Sequence, residues 1–413
     1  MLNKNNEREL AYLTRIDEIQ PIPGYDRVEH ARVGGWWVIV QKDQFKPGDI
    51  AIYFEIDSKV PSDRECFAFL EKRNYKVKSI KMCKVLSQGL LMHPTDFGWE
   101  TFNKVKEGEA TPYNRNGVLD DKKNIHYVDD ESRFLTKLLG VTYADAEDNV
   151  RKANSPDKYK KMAQRHPNVF KKPWARWLMK HAWGRKIMFL FFGKKKDKRG
   201  WPAWVAKTDE ERVQNMPWIL KDNGNWIATE KIDGTSTTFT MKRGKFGKRE
   251  FYVCSRNVAF DTIDKPCYYD TNVYWEMAKK YDMYNVLKRL LEMYPKEEWI
   301  TIQGETYGAG VQKRDYSMKD HDLAVFNIIF STTGRMNSID MKNLMDEFKI
   351  PCVPILVEKI NINQFADVDT ILAYADGNSV IDGKPREGIV FRSEDGARSF
   401  KAVSNSFLLK YHQ

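Results

Sequence analysis

The stretch Trp226-Ile227-Ala228-Thr229-Glu230-Lys231-Ile232-Asp233-Gly234 decides how the rest of the chain is read. Trp226-Ile227-Ala228 reads as a strand, and Thr229 to Gly234 runs from it into a turn, because Asp-Gly is turn chemistry. A lysine therefore stands where a strand ends, with a carboxylate two positions on and a glycine after that. Alone, Lys-x-Asp-Gly is weak: this composition yields it by chance in roughly one chain in six of this length. A surface turn would use the same residues.

The sequence downstream changes the balance. Ile302-Gln303-Gly304-Glu305-Thr306-Tyr307-Gly308 sets a carboxylate at a strand-like edge, and Arg386-Glu387-Gly388-Ile389-Val390-Phe391 sets another. Ser399-Phe400-Lys401-Ala402-Val403 supplies a strand lysine, with Lys410 following near the end. A lysine attacks phosphorus only as the neutral amine, and its ordinary pKa is about 10.4. Burial and neighbouring cations lower that value. A divalent metal and a second lysine would supply the cations, and Asp233, Glu305 and Glu387 offer the hard oxygen donors such a metal needs. Gly234 would let the backbone come close to phosphates. Amine, carboxylates, metal and second lysine together make a covalent nucleotidyl-transfer site.

The chain has 413 residues, long enough for two or three domains, and its 42% hydrophobic content excludes wholesale disorder. No run approaches the ~20 apolar residues of a membrane span. The N-terminus lacks the apolar core of a signal peptide. Five scattered cysteines (Cys66, Cys83, Cys254, Cys267 and Cys352) form no C-x-x-C pair, so a disulfide framework or a zinc site is not expected and a cytoplasmic compartment is.

Net charge is +11, which favours a polyanionic partner. From Lys158 to Arg199 there are 15 lysines and arginines against one acid, Asp197. Tyr159, Phe170, Trp174, Trp177, Trp183 and Phe189 interleave with them. That mixture suits phosphates and base faces, though an amphipathic helix packed on its own protein or laid on a membrane surface would share it.

Short strands with Gly and Pro punctuation fill the first hundred residues: Leu10 to Ile16, Arg32 to Val40 with a Gly34-Gly35 bulge, Ile50 to Ile56 after the Lys46-Pro47-Gly48-Asp49 turn, and pieces around 76–85 and 88–93. This predicts a small barrel, with Trp36 and Trp37 in its core. Residues 158–192 look helical, Val273 to Met293 reads as one helix, and from Trp201 strands and helices mix as in an α+β domain.

These residues resemble the motifs of the covalent nucleotidyltransferases, the polynucleotide ligases and mRNA capping enzymes. Lys231-Ile232-Asp233-Gly234 resembles the nucleophile motif, Ser255-Arg256-Asn257 the second and Gln303-Gly304-Glu305 the third. Val325-Phe326-Asn327 resembles the segment whose aromatic stacks on the base, Glu387-Gly388-Ile389-Val390 the fourth motif and Phe400-Lys401 the start of the fifth. The chain is most similar to ATP-dependent RNA ligases with an N-terminal OB domain. Lys207-Thr208-Asp209-Glu210-Glu211-Arg212-Val213-Gln214-Asn215, Leu86-Ser87-Gln88-Gly89-Leu90 and the Lys46 to Ile56 region are similar to that group too. The sequence stops three residues after Lys410, which is read as leaving no room for the C-terminal OB domain of DNA ligases and capping enzymes.

The resemblance implies an OB-like barrel over 1–105, a basic, partly helical connection over 106–200, and a nucleotidyltransferase domain over 201–413 with antiparallel sheets and flanking helices. It implies an enzyme for RNA repair that uses ATP with Mg2+ or Mn2+ to join 3′-OH and 5′-phosphate RNA ends through lysyl-AMP and RNA-adenylate. Lys231 would be the nucleophile, and Asp233, Glu305 and Glu387 would bind metal, its waters or the ribose. Lys401 would hold the α-phosphate and Arg256 a phosphate or the ribose, with Phe326 on the adenine. Glu230, Ile232 and Gly234 would lie beside the nucleotide. The fifth motif's second lysine position is Val403 here, so Lys410 is expected to substitute. RNA is the expected partner, no membrane is, and the protein is expected to act as a monomer. The alternatives are a capping-type guanylyltransferase and a catalytically inactive RNA-binding protein on the same scaffold.

Overall fold

In the first hundred residues the apolar side chains alternate so tightly that both faces of the central strand are buried. A computed structural model of the chain describes residues 8–98, 101–104, 124–127, 134–144, 167–170, 172–181, 183–185, 187–188, 200–260, 262–263, 267, 269 and 271–411. Strand Ile50–Phe54 lies between Ala11–Arg15 and Leu90–Met92. Its Ile52 and Phe54 join a core with Leu13 and Phe67, while Ala51 and Tyr53 join a second core with Trp36 and Val38. The period of two along a strand sends alternate residues to opposite faces. Strands Glu18–Ile22, Tyr25–Val33 and Trp36–Gln41 form the adjoining antiparallel sheet, and the whole is a small β-barrel.

Two expectations for this region change. The Gly34-Gly35 pair is a hairpin turn between two strands, Tyr25–Val33 and Trp36–Gln41, and not a bulge within one. Gly34 sits at φ +58, the left-handed conformation a two-residue hairpin demands. Only Trp36, 2% exposed, belongs to the core. Trp37 is half-buried on the other face, stacked near His30 and under the Arg32 guanidinium.

The second half of the chain builds two antiparallel sheets. The larger runs Ala259–Phe260, Arg249–Cys254, Thr235–Arg243, Trp299–Gly308, His321–Phe330, Gly334–Arg335 in spatial order. The smaller runs Ile355–Asn361, Asn225–Lys231, Gly388–Ser393, Ser399–Val403. Helices Val273–Lys280, Met283–Met293 and Ser338–Glu347 cover the larger sheet, and Val368–Ala375 covers the smaller. Met283, Val286, Leu287 and Leu290 are buried on one face as the spacing predicts. The single helix expected over Val273 to Met293 is nevertheless two. Asp282 takes a left-handed backbone at φ +46, and Lys280 and Tyr281 both bond to Asp322 on the neighbouring sheet, which breaks the helix there.

The two halves meet along the segment Thr208 to Asn215. Trp36 donates its indole N–H to Asn215 at 2.7 Å, and Asn215 donates to Glu55 at 2.9 Å, so buried polar groups of each half satisfy the other. A Cβ on Gly35 would lie 2.6 Å from the Gln214 Cα, so only glycine permits this approach. Most of the 106–200 connection, including Lys194 to Arg199, lies outside the described residues. Its described part includes helix Pro173–Lys180, on and beside which Trp174, Trp177 and Trp183 are 48%, 54% and 52% exposed.

Candidate active site

Strand Asn225–Lys231 belongs to the smaller sheet and strand Thr235–Arg243 to the larger, so Ile232-Asp233-Gly234 is the crossing between them. That topology sets Lys231 at the floor of a cavity of about 480 Å³ between the sheets. The strand pairing then delivers the rest. Lys231 faces Gly388, which places Glu387 beside it; Ser236 faces Glu305 across the larger sheet; Val390 faces Lys401. Lys231, Glu305 and Glu387, more than seventy residues apart in sequence, meet because Gly388 pairs with Lys231 and Gly234 passes close over Glu305.

The crossing is tightly held. The Asp233 backbone N–H donates to the Tyr316 hydroxyl at 2.7 Å. The Tyr316 ring lies under the buried Arg314 guanidinium, itself paired with Asp382. A Cβ on Gly234 would come 2.4 Å from the Thr306 carbonyl oxygen and 2.9 Å from the Glu305 side chain. Glycine is thus required for the close passage of this turn over the strand that carries Glu305.

The Lys231 amine lies 2.7 Å from Glu387. Burial would lower its pKa, but Glu387, Glu305 and Asp233 outweigh burial and raise it above its ordinary value. The acids respond in the opposite sense. Burial, then the Glu387 charge, pushes Asp233 up to about 7, with Lys231 and Arg314 opposing. Burial pushes Glu305 up to about 8, with Glu387 and Asp233 adding and Lys231 opposing. Three carboxylates around one ammonium leave the pocket short of positive charge.

A divalent cation fits that deficit. Among the described residues no three acidic, imidazole or thiol side chains stand close enough to hold an ion by themselves. The all-oxygen set of Asp233, Glu305 and Glu387 instead suits a hard cation that keeps waters or phosphate oxygens in its shell. The sign of the pH dependence follows. Asp233 and Glu305 bind protons more tightly in the fold than at their unfolded values of 3.8 and 4.5. They therefore stabilise the fold fully below those values, and that contribution is lost as pH rises through 7 to 8. Metal-free protein is expected to lose melting temperature as pH rises from about 4 to about 8, and Mn2+ or Mg2+ to restore more of it at the higher pH. Thermal denaturation with chelator and with metal checks this; a metal effect independent of pH would contradict it.

Two cations, Lys401 and Arg256, also line the cavity. Lys401 donates to Asp209 at 3.1 Å, Arg256 pairs with Asp209 at 2.9 Å, and Arg256 also donates to the Tyr143 hydroxyl at 3.1 Å. Burial lowers the Lys401 pKa, with Asp209 opposing. The remaining wall is apolar: Phe326, Val353 and Val390 line the cavity, and the Arg392 guanidinium lies 5.8 Å from the Phe326 ring. At that end Glu230 is 1% exposed; its Oε2 accepts from the Val380 N–H at 2.9 Å, and its Oε1 has no partner among the described residues.

The structure thus brings together Glu230, Lys231, Ile232, Asp233, Gly234, Arg256, Glu305, Phe326, Glu387 and Lys401 around one cavity. Residues 224–412 match the RNA ligase family model, and residues 10–95 match an OB-fold domain model. Residues 224–412 are an RNA ligase domain. The chain is similar over nearly its whole length to solved structures of Naegleria gruberi RNA ligase. The form with PPi has a TM-score of 0.67 and 25% identity, covering 98% of this chain and 99% of that one. A point variant with ATP and Mn has a TM-score of 0.66 at 25% identity, covering 98% and 100%. Another variant, with AMP and Mn, has a TM-score of 0.67 at 25% identity, covering 98% and 99%. No curated protein matches the chain by sequence.

One sequence expectation of the ligase is corrected. Lys410 does not line the cavity: it sits on the C-terminal helix Asn405–Tyr411 with its amine over the Tyr411 ring. Val403 is 2% exposed and packs with Leu86 and Leu408, so the second position of the last motif serves the core. Residues that sequence reasoning missed are Asp209, Arg392 and Tyr143. Asp209 lay within a quoted stretch but carried no assigned role; Tyr143 reaches the cavity from a part of the chain with no readable pattern.

Proposed function

We propose that this ATP-dependent RNA ligase joins 3′-OH and 5′-phosphate RNA ends through an adenylate carried on Lys231. The observation that supports it is the placement of a buried lysine among three carboxylates in a cavity that Lys401 and Arg256 also line. The Naegleria enzyme has been solved with ATP and Mn and with AMP and Mn, and the same pair suits this cavity.

Lys231 starts protonated beside Glu387 and must lose that proton before its Nζ can attack. When bound on Asp233, Glu305 and Glu387, a divalent ion supplies the positive charge that the pocket lacks and neutralises phosphate oxygens. In the first step the Nζ–P bond forms at the α-phosphorus and the bond to pyrophosphate breaks. A 5′-phosphate oxygen of RNA then takes the adenylyl group and the Nζ–P bond breaks. Finally the RNA 3′-OH attacks the activated 5′-phosphorus and AMP leaves. Each step is an in-line displacement, so Lys401 and Arg256 contribute by holding phosphate oxygens and Ile232 and Phe326 by bracketing the base.

The unpartnered Glu230 Oε1 selects the base. Adenine offers an exocyclic amine as donor, whereas guanine sets a carbonyl oxygen against the carboxyl group. α-Labelled ATP is expected to label the protein and α-labelled GTP not. Glu230→Gln, whose amide donates as well as accepts, is expected to reduce the preference for ATP about tenfold or more. Equal labelling by both nucleotides in the unaltered enzyme would favour a guanylyltransferase.

For RNA, the half-exposed Trp174, Trp177 and Trp183 offer base-stacking faces within a segment that is strongly basic in sequence. No helix among the described residues is long and apolar enough to cross a membrane. The five cysteines are free thiols, as suits a reducing cytoplasmic setting.

A further inference from the structure

Asp209 is bound by more cations than any single carboxylate needs. Its Oδ1 accepts from Lys401 at 3.1 Å, and its Oδ2 meets Arg256 at 2.9 Å and Arg8 at 2.8 Å. Burial works against its ionisation, yet Lys401, Arg256 and Arg8 together hold the carboxyl well below its usual range. Its backbone is fixed on both sides. Thr208 shares a hydrogen bond with Ser236 at 2.6 Å, and the Glu211 carbonyl accepts the Lys401 N–H at 2.8 Å. Arg212 forms a single parallel bridge with Lys401, and a short helix, Val213–Asn215, follows at once.

The far side of Asp209 belongs to the barrel. Arg8 bridges Asp209 to Glu55, which is fully buried and bound by Asn215. Arg8 and Arg256 both lie against the Tyr143 ring, at 5.6 and 5.2 Å. Arg8 is also paired with Glu55, so the two cations that line the cavity, Lys401 and Arg256, share this one carboxylate, an excess that a polyphosphate complements.

We propose that Asp209 is a positioning residue that sets Lys401 and Arg256 for the nucleotide's phosphates and, through Arg8, makes the N-terminal barrel part of the adenylylation machinery. The proposal rests on the ligase reading and extends it: the barrel acts on the first chemical step as well as on RNA. Asp209 itself touches no reacting atom. Its carboxylate fixes where two cations stand, and it offsets the loss of charge that burial imposes on Lys401, which also faces Arg212, Lys231 and Arg8.

The test is single-turnover self-adenylylation with labelled ATP, fitted for rate constant and for ATP concentration at half-maximal rate. Asp209→Asn is expected to lower the rate constant about ten- to a hundredfold while the half-maximal ATP concentration stays the same or falls, because the wall has become more positive. Asp209→Glu restores the carboxylate and is expected to recover part of the rate. Arg8→Gln, remote from the reacting atoms, is expected to lower the rate constant about threefold with the same signature. A rise in the half-maximal ATP concentration with an unchanged rate constant overturns the proposal, as does an Asp209→Asn enzyme equal to the unaltered one. If Asp209→Asn does not fold, Arg8→Gln decides, and an unchanged rate there overturns it. An unlabelled unaltered enzyme sinks the ligase reading and this proposal together; a labelled one with indifferent variants sinks only this proposal.

Discussion

Lys231→Ala is expected to leave no nucleotide covalently attached to the protein after incubation with ATP and Mn2+ or Mg2+. The loss in self-adenylylation should be at least about a thousandfold, since no other amine can take the role. Lys401 is held against Asp209, two strands along the same sheet, and Lys410 lies outside the cavity. Lys231→Arg should fail as well, because a guanidinium keeps its proton at any working pH. One activity should survive. RNA that already carries a 5′-adenylate needs only the final displacement, for which Lys401, Arg256 and the carboxylates remain. The Lys231→Ala enzyme is therefore expected to seal pre-adenylated RNA measurably while failing on RNA with a plain 5′-phosphate. Gel analysis of both RNAs separates the outcomes, and equal failure on both would show that Lys231 is needed for more than carrying the adenylate.

Glu387→Gln and Glu305→Gln are each expected to lower self-adenylylation at least about a hundredfold, for related but distinguishable reasons. Both remove a donor for the divalent ion, so both should need more Mn2+ for half-maximal rate. Glu387 is also the nearest counter-charge of Lys231, at 2.7 Å. Taking away that anion lowers the lysine pKa, so less of the amine is held protonated at a given pH. The rate of the unaltered enzyme should climb with pH, because Lys231 begins as the ammonium with its pKa raised. In Glu387→Gln that climb should begin at lower pH even though the maximal rate is reduced. Glu305→Gln removes a weaker influence on the lysine and should shift the profile less. Rates measured across pH at saturating metal check this. Identical pH profiles in all three enzymes would contradict the account of how the lysine is held.

Much of this site could be read from the chain alone, because its chemistry is concentrated at strand ends. Lys231, Glu305 and Lys401 each follow or interrupt a short apolar run and Glu387 precedes one, and the antiparallel pairing that aligns those runs also brings the four groups together. What stayed hidden is what depends on contacts between distant segments. Asp209 looks like any acid in Thr208-Asp209-Glu210-Glu211; only the fold shows Arg8, Arg256 and Lys401 converging on it. Arg392 carries a charge that its sequence neighbours do not pair, and only the fold shows Glu210 meeting it at 3.1 Å in the interior. The break at Asp282 likewise follows from bonds to Asp322 on a neighbouring sheet, which no helical periodicity reports. Val403 was legible as a departure from the last motif, but its burial against Leu86 of the barrel was not.

The most direct test is to digest the enzyme after incubation with ATP and metal, under conditions that spare an acid-labile phosphoramidate, and to locate the adenylate by mass spectrometry. The account predicts one AMP adduct, on the Lys231 side chain, that is discharged by pyrophosphate and by RNA bearing a 5′-phosphate. An adduct on any other residue, or none in an enzyme that still seals RNA, would contradict it.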